Sequence, residues 1–375
     1  MRIGFDAKRI VRNGTGLGNY SRYVVDILCR YGNAGDEYLL YAPDKGKPEL
    51  RRRLADYPAY RYVYPSGMWR AVPALWRTFG LPGALKGRCD VFHGLSNELP
   101  VGIRRSGIPS VLTMHDVIYR RYPHLYKPVD RRLYDLKYGH SCRCADRIIA
   151  VSECTKRDVV EFYGINPDKI DVVYQGCDPA FYEAPSADAL ADVRKKYALP
   201  ERFILNVGTI EERKNLRLAV EALAQMKDRT VCLVAIGRRT DYAREAEAVA
   251  ERLGVDRRFR ILQGVPFADL RCIYRLALLF VYPSRFEGFG IPIIEALASS
   301  VPVIAATGSC LEEAGGKDSL YVDSDDAGQL AEYADAVLSD ESRARGMIDA
   351  GREYVKRFAD SRLAADLEAV YRKLV

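Results

Sequence analysis

The stretch RFILNVGTIEERKNLRLAVEALAQMKDRTVCLVAIG, residues 202–237, sets two apolar runs, RFILNVG and VCLVAIG, on either side of the amphipathic NLRLAVEALAQMK. Short apolar runs closed by glycine read as buried strands, and the segment between them repeats its apolar residues at helical spacing. The stretch therefore predicts a strand–helix–strand unit of a mainly parallel sheet. The same rhythm runs outward in both directions. Upstream come RIGFD, YLLYA, YRYVYP, DVFHG, SVLTMHD, RIIAVS and IDVVYQG; downstream come RFRILQG, LLFVYPS, VPVIAA and LYVD, with DYAREAEAVAERLG among the helices. Two doubly wound α/β domains follow, residues 1–180 and 190–360, separated where Pro and small polar residues interrupt the alternation in CDPAFYEAPSADAL (177–190). The last helix, about 361–375, has a pattern that suits packing on either domain.

Composition bounds the function. At 375 residues the chain is long for one core, and 48% hydrophobic with 29% charged residues describes a globular protein. No apolar run reaches the length of a membrane span, and MRIGFDAKRI enters a strand without a signal-peptide core, so the expectation is a cytoplasmic protein. Nine cysteines, an odd count with no C-x-x-C pair, read as reduced thiols and exclude a disulfide scaffold or zinc site. The net charge of +7 is uneven: residues 1–180 hold 29 Lys or Arg against 19 Asp or Glu, and the remainder 28 against 31. No reading motif or set of stacking platforms accompanies the basic half, so nucleic acid is not the expected partner. Its Arg and Lys interleave with Tyr and Trp, as in YPSGMWRAVPALWRTFG (64–80), which suits an anionic membrane surface or an ordinary solvated face.

Open α/β sheets collect ligands at the carboxyl ends of their strands. In SRFEGFGIPIIEALASS (284–300), Glu287 and Glu295 would lie about 80° apart even on an unbroken helix. Gly288, Gly290 and Pro292 instead predict a loop over 287–291, with Glu295 about one turn inside the following helix and near its positive end. In LNVGTIEERKNL the glutamates 211 and 212 suit a helix start, whereas Arg213 and Lys214 oppose the dipole there and would be favourable beside a diphosphate. Gly14, Gly16 and Gly18 precede a helix in RNGTGLGNYSRY, either to let backbone N–H groups approach a phosphate or sugar or as a flexible turn. His93 and His115 fall at strand ends; a packed structural role suits His93, and Asp116 directly follows His115, where it could orient the ring or bind a substrate hydroxyl. DSDD (323–326) reads as a helix cap with an acidic first turn, not as a metal site.

PSRFEGFGIPIIEALA, VGTIEERKNL, GTGLGNYSRY and MHD together resemble the retaining glycosyltransferases of family 4, over nearly the whole chain. Within that family the RKN form of the lysine motif resembles the mannosyltransferases of bacterial O-antigen and polysaccharide synthesis. The resemblance implies the α/β GT-B fold, two Rossmann-like domains facing a central cleft, with the final helix returning to the first domain. It implies a nucleotide-sugar donor, GDP-mannose favoured, held by the second domain, and a glycan or polyprenyl-diphosphate-linked acceptor on the first. It assigns Lys214 and Arg213 to the leaving diphosphate, Glu287 and His115 to the transferred sugar, and Glu295 to the ribose. Phe289, Gly290 and Ile291 would offer backbone N–H groups to the sugar and phosphate, with Gly14, Gly16 and Thr209 also on the donor side and Asp116 and His93 on the acceptor side. Neither cofactor nor metal is then expected. Thr209 stands where many relatives have Arg, which leaves Arg213 as the second cation, and Cys310, Leu311 and Glu312 stand where Leu-Pro-Glu is common. An epimerase on the same fold would need acid and base groups flanking the sugar, and a nicotinamide oxidoreductase would need G-x-G-x-x-G. A non-catalytic sugar-binding protein would have no use for Lys214, Glu287 and Glu295. The basic first half carries one more expectation: that residues 51–80, with Trp69 and Trp76 near Arg70 and Arg77, touch the inner face of the cytoplasmic membrane.

Overall fold

The computed structural model describes residues 1–54 and 57–375, without the side chain of Arg53; Ala55 and Asp56, part of the 51–80 segment, lie outside the described residues. The chain forms two compact units, Met1–Gln175 with Phe358–Val375, and Gly176–Arg357.

In the first unit seven strands, β1 (Arg2–Asp6), β2 (Glu37–Tyr41), β3 (Tyr60–Val63), β4 (Val91–Gly94), β5 (Ser110–Met114), β6 (Arg147–Ala150) and β7 (Ile170–Val172), order as β3-β2-β1-β4-β5-β6-β7. Every pairing is parallel. Central β4 and β5 are buried at every residue, which is why they read as continuous apolar runs, whereas edge strand β3 (YRYV) is half-exposed and mixes Tyr with Arg. The last helix, Asp360–Arg372, belongs to this unit and lies against the helix Gly16–Tyr31. Polar contacts fix it there: the Tyr23 hydroxyl donates to Asp360 at 2.7 Å, and the buried Glu368 accepts from the Asn33 N–H at 2.7 Å.

The second unit repeats the plan with β8 (Phe203–Val207), β9 (Cys232–Ile236), β10 (Phe259–Leu262), β11 (Leu279–Tyr282), β12 (Val303–Ala306) and β13 (Leu320–Val322), ordered β10-β9-β8-β11-β12-β13. All its pairings are parallel too. The 202–237 stretch folds as its pattern predicts: β8 and β9 pair from Phe203 opposite Cys232 to Val207 opposite Ile236, joined through the helix Leu216–Gln225. That helix buries Leu216, Val220 and Leu223, each contributing about 1.5–3 kcal/mol. The strand ends approach so closely that a Cβ on Gly237 would lie 1.7 Å from the Gly208 carbonyl oxygen. In each sheet the chain order reverses once, between β1 and β4 and between β8 and β11, and the loops leaving those strands flank the crevice where such sheets bind ligands. Among the described residues no helix is long and apolar enough to cross a membrane.

Candidate active site

The loops leaving β8 and β11 are laced together in the second unit. After Gly208 the backbone makes a short 3-10 turn, Glu212–Lys214, and Asn215 then takes a left-handed conformation (φ 55°) that separates this turn from the helix Leu216–Gln225. The Arg285 N–H donates to the Arg213 carbonyl at 2.9 Å, and the Arg213 guanidinium donates to the Phe286 carbonyl at 2.7 Å. Two cations consequently converge on one carboxylate. Lys214 Nζ lies 2.5 Å from Glu287 Oε1, and Arg213 Nη1 lies 2.7 Å from Glu287 Oε2. Arg213 also donates to Glu211 at 2.7 Å, and Lys214 to the Tyr282 hydroxyl at 2.6 Å.

Burial alone would raise the Glu287 pKa, but Lys214 and then Arg213 outweigh it and leave the carboxyl at about 2. Burial likewise opposes the charge on Lys214, and Glu287 overcomes it, so the pKa of the ammonium is raised. Both side chains are thus charged across the physiological range, in a place nearly closed to water. Removing Glu287 would leave Lys214 charged and buried without a counter-charge, a loss of about 3–5 kcal/mol.

The next segment turns this cluster into a helix start. Gly290, at φ 128°, caps the helix Ile291–Ala298, and a Cβ there would press on Leu311 and Ala314 at 3.1 and 3.2 Å. The buried Cys310 thiol bonds the carbonyls of Glu287 and Phe289 at 3.1 and 2.8 Å, pinning the loop from beneath. Phe289 is buried, and Ile291 occupies the first helical position. Glu295 sits one turn in and accepts from the Tyr274 hydroxyl at 2.8 Å. Burial pushes its pKa up to about 7, against the lowering effect of that hydrogen bond. Two carboxylates eight residues apart therefore carry different charge at neutral pH. Thr209 lies part-buried on the loop leaving β8.

The remaining candidates belong to the first unit. His115 closes β5; its Nε2 bonds the Leu95 carbonyl at 2.9 Å, its N–H donates to Asn97, and Tyr20 packs edge-on against its ring. Burial lowers its pKa to about 4, so the imidazole is neutral and the Leu95 bond leaves Nδ1 as the acceptor nitrogen. Asp116 accepts from the Ile118 N–H at 3.2 Å, at the head of the helix Ile118–Arg121. His93 takes the packed structural role its sequence context suits, and only the expectation of an acceptor-side role is corrected. It is fully buried, with one ring nitrogen 2.8 Å from the Tyr371 hydroxyl and the other 2.8 Å from Thr113, so it ties the last helix to the sheet and has no atom for an acceptor. Gly14 and Gly16 are exposed, Gly14 with only Leu50 in reach of a Cβ at 4.0 Å and Gly16 in open space, whereas Gly18 must be glycine because a Cβ would lie 1.9 Å from the Asn13 carbonyl oxygen. Trp76 and Arg77 are corrected as well: Trp76 is buried, and Arg77 is held by Asp6 at 2.6 Å and Glu98 at 3.1 Å, so neither is free to meet a membrane.

Sequence reasoning missed Tyr282 and Tyr274, and it marked Cys310 as a departure from the family pattern without foreseeing its bonds to the loop carbonyls. Tyr282 ends the run LLFVYPS, so the strand-end search could have found it; Tyr274 carries no local signal. Asp326 caps the helix Ala327–Ser339 through the Gln329 N–H, as DSDD predicts. Among the described residues no three His, Cys, Asp or Glu side chains converge as a metal cluster.

Two parallel doubly wound sheets, with a cation pair and carboxylates at the switch point of the second, define a GT-B glycosyltransferase. The families described as Glycosyltransferase Family 4 and Glycosyl transferases group 1 match residues 20–181 and 191–354. O-antigen chain mannosyltransferase B of Escherichia coli is 30% identical over 380 residues, covering 93% of this chain and 95% of that protein. The serotype-specific mannosyltransferase WbdA of Escherichia coli is 28% identical over 261 residues, 67% of this chain and 32% of its own length. In fold, HepE of Anabaena, solved with UDP and glucose, superposes with a TM-score of 0.77 at 18% identity over 100% of both chains. The chain belongs to glycosyltransferase family 4. It is a glycosyltransferase, and its relatives imply a nucleotide-sugar donor and a glycan acceptor.

Proposed function

We propose that this enzyme transfers mannose from GDP-mannose to a lipid-linked glycan at the cytoplasmic side of a membrane, retaining the anomeric configuration and using no metal or cofactor. The observation that carries the reading is the pair Lys214 and Arg213 held charged on Glu287 at the β8/β11 switch point. A diphosphate entering there meets two fixed cations, and the charge that develops on it as the sugar leaves is stabilised without reorganisation. In the step itself the bond from the sugar's anomeric carbon to the diphosphate oxygen breaks, the bond to the acceptor hydroxyl oxygen forms, and the hydroxyl proton passes to the departing phosphate. Glu287 is a poor nucleophile for a covalent intermediate, because both its oxygens are engaged by cations and its pKa is about 2. Same-face attack is the retaining route left to it. The likeness to O-antigen mannosyltransferase B supports mannose as the sugar and O-antigen glycan as the acceptor class. Glu295 takes the ribose hydroxyls, the backbone of Phe289, Gly290 and Ile291 the sugar and phosphate, and Thr209 the edge of the donor site. Gly14, Gly16, His115 and Asp116 are the first unit's contribution to the substrates.

The test is transfer to a polyprenyl-diphosphate oligosaccharide, followed by NMR of the product's anomeric centre, with GDP-mannose and UDP-sugars compared in excess chelator. Expected are transfer from GDP-mannose alone, the donor's α configuration in the product, and no loss on chelation. Lys214→Ala should lower kcat by about a hundredfold or more, the scale of one lost preorganised donor. Transfer that needs restored Mg2+ or Mn2+, an inverted product, or preference for a UDP-sugar would contradict the corresponding part of the reading.

A further inference from the structure

Parallel register puts alternate residues of the outer strands on one face of the first unit's sheet. Gly4 of β1 stands opposite Leu39 of β2, and Leu39 and Tyr41 stand opposite Arg61 and Val63 of edge strand β3. A Cβ on Gly4 would lie 3.0 Å from the Tyr41 ring and 3.2 Å from Cys89 Sγ, so glycine there lets the tyrosine rest against β1. The chain between the helix Leu81–Leu85 and β4 closes over the same side. Together they border a cavity of about 340 Å³ lined by Arg2, Leu39, Tyr41, Arg61, Val63 and Arg88.

Three guanidinium groups and one hydroxyl line this space. Arg2 is fixed, donating to Asp90 at 3.0 Å and to the Gly87 carbonyl at 3.2 Å. Arg61 has Glu37 3.8 Å away, a long pair between two exposed side chains that is worth little. Arg88 is exposed and makes no ion pair among the described residues. Tyr41 is 0% exposed, and its hydroxyl has no hydrogen-bond partner among the described residues. Burial, with the Cys89 thiol, raises the pKa of that hydroxyl, and the charges of Arg88 and Arg61 act against them. A buried hydroxyl without a partner is destabilising unless something supplies one. Of the carboxylates at hand, Asp90 has both oxygens on Arg2, so the charge left to the cavity is positive.

We propose that this cavity binds a small soluble phosphomonoester, with Arg61 and Arg88 on the phosphate oxygens and the Tyr41 hydroxyl donating to one of them. Guanidinium forks match phosphate oxygens in two-point bonds, and Leu39 and Val63 offer an apolar wall to the rest of the ligand. At about 340 Å³ the cavity is at the small end of ligand sites, with room for a sugar phosphate and not for a nucleotide sugar. Its position also sets it apart from the transfer reaction. Arg2 opens β1 and Arg88 precedes β4, at the amino ends of strands whose carboxyl ends face the crevice.

Calorimetric titration of the full chain with glucose 6-phosphate, inorganic phosphate and glucose, in saturating GDP, tests this apart from the donor site. Expected is binding of glucose 6-phosphate, weaker binding of inorganic phosphate and none of glucose, with the melting temperature raised by several degrees at about a hundredfold excess over Kd. Arg61→Ala with Arg88→Ala, both at exposed positions, should weaken binding by about a hundredfold or more while leaving sugar transfer unchanged. Tyr41→Phe should weaken it by about tenfold yet melt no lower than wild type without phosphate, because it removes an unpaired buried hydroxyl. Vesicles containing phosphatidic acid should not displace the soluble ester. Absence of binding, equal affinity for inorganic phosphate and the ester, binding unchanged in either folded variant, or displacement by phosphatidic acid would overturn the proposal.

Discussion

Glu295 is the residue through which pH reaches this site. Its folded pKa is raised by burial to about 7, so between the usual carboxylate value and pH 7 the folded state keeps a proton that the unfolded chain has lost. That contribution to stability is present at low pH and falls away as pH rises through 7. In the role proposed for Glu295, ribose hydroxyls would donate to the ionised form. Nucleotide affinity should therefore rise by about tenfold from pH 6 to pH 8, with proton release on binding, and Glu295→Gln should flatten the profile. Calorimetry in buffers of different ionisation enthalpy measures both. Glu287 behaves oppositely: with a pKa of about 2 it contributes no titration near neutrality. Glu287→Gln keeps one acceptor oxygen of two and leaves Lys214 without a counter-charge and Arg213 with Glu211 alone, so its thermal stability should drop while Glu295→Gln loses little. The sequence separated these two carboxylates correctly, one on a loop and one a turn into a helix, because Gly290 and Pro292 mark that boundary. Their opposite pKa shifts were not legible, since each depends on tertiary packing: burial against other elements raises Glu295, and Lys214 with Arg213, brought from the β8 loop, lowers Glu287.

At the scale of elements, the loop between β11 and the helix Ile291–Ala298 is held by a thiol from the far side of β12. Cys310 bonds two of its carbonyls, so Cys310→Ser, which keeps a donor, should stay within about twofold of wild type in kcat/KM, and Cys310→Ala should lose about tenfold. Steady-state transfer distinguishes the two, and rescue by serine is the outcome that a cavity effect alone would not give. The strands were readable in sequence because both sheets are parallel and buried, which makes their central strands short unbroken apolar runs. Segment 67–80 was read less well. Its aromatic and basic residues looked alike in sequence, yet Trp76 faces the core and Arg77 an ion pair, while Met68, Leu75 and Phe79 face solvent. Which side chains turn inward is set by partners from other elements, Asp6 and Glu98 in the case of Arg77, and those partners are not visible in the local sequence. His93 shows the converse: its strand-end position suited a packed structural role, and the last helix supplies the Tyr371 hydroxyl that fills it, which leaves no acceptor-side role.

For the whole molecule, the first unit is completed by residues 278 to 337 positions from the partners they bond. Deleting 358–375 would expose the face of the helix Gly16–Tyr31 and strip partners from His93, Asn33 and Tyr23. The loss should exceed about 5 kcal/mol, a sizeable share of a domain's stability. Hydrogen exchange should then find β1 and β2 unprotected while β8 and β11 keep their protection. Two-domain organisation was legible because the strand–helix rhythm pauses at 177–190; which unit owns the last helix was not, because its amphipathic pattern carries no address. The central claim is that Lys214 and Arg213 form a metal-free diphosphate site. Titration of GDP and guanosine into wild type and Lys214→Ala, in excess chelator, tests it most directly. The account predicts that GDP binds wild type at least about a hundredfold more tightly than guanosine does, and that Lys214→Ala removes most of that difference while leaving guanosine affinity unchanged. Equal affinity for GDP and guanosine in wild type, or a preference for GDP that survives in Lys214→Ala, would contradict it.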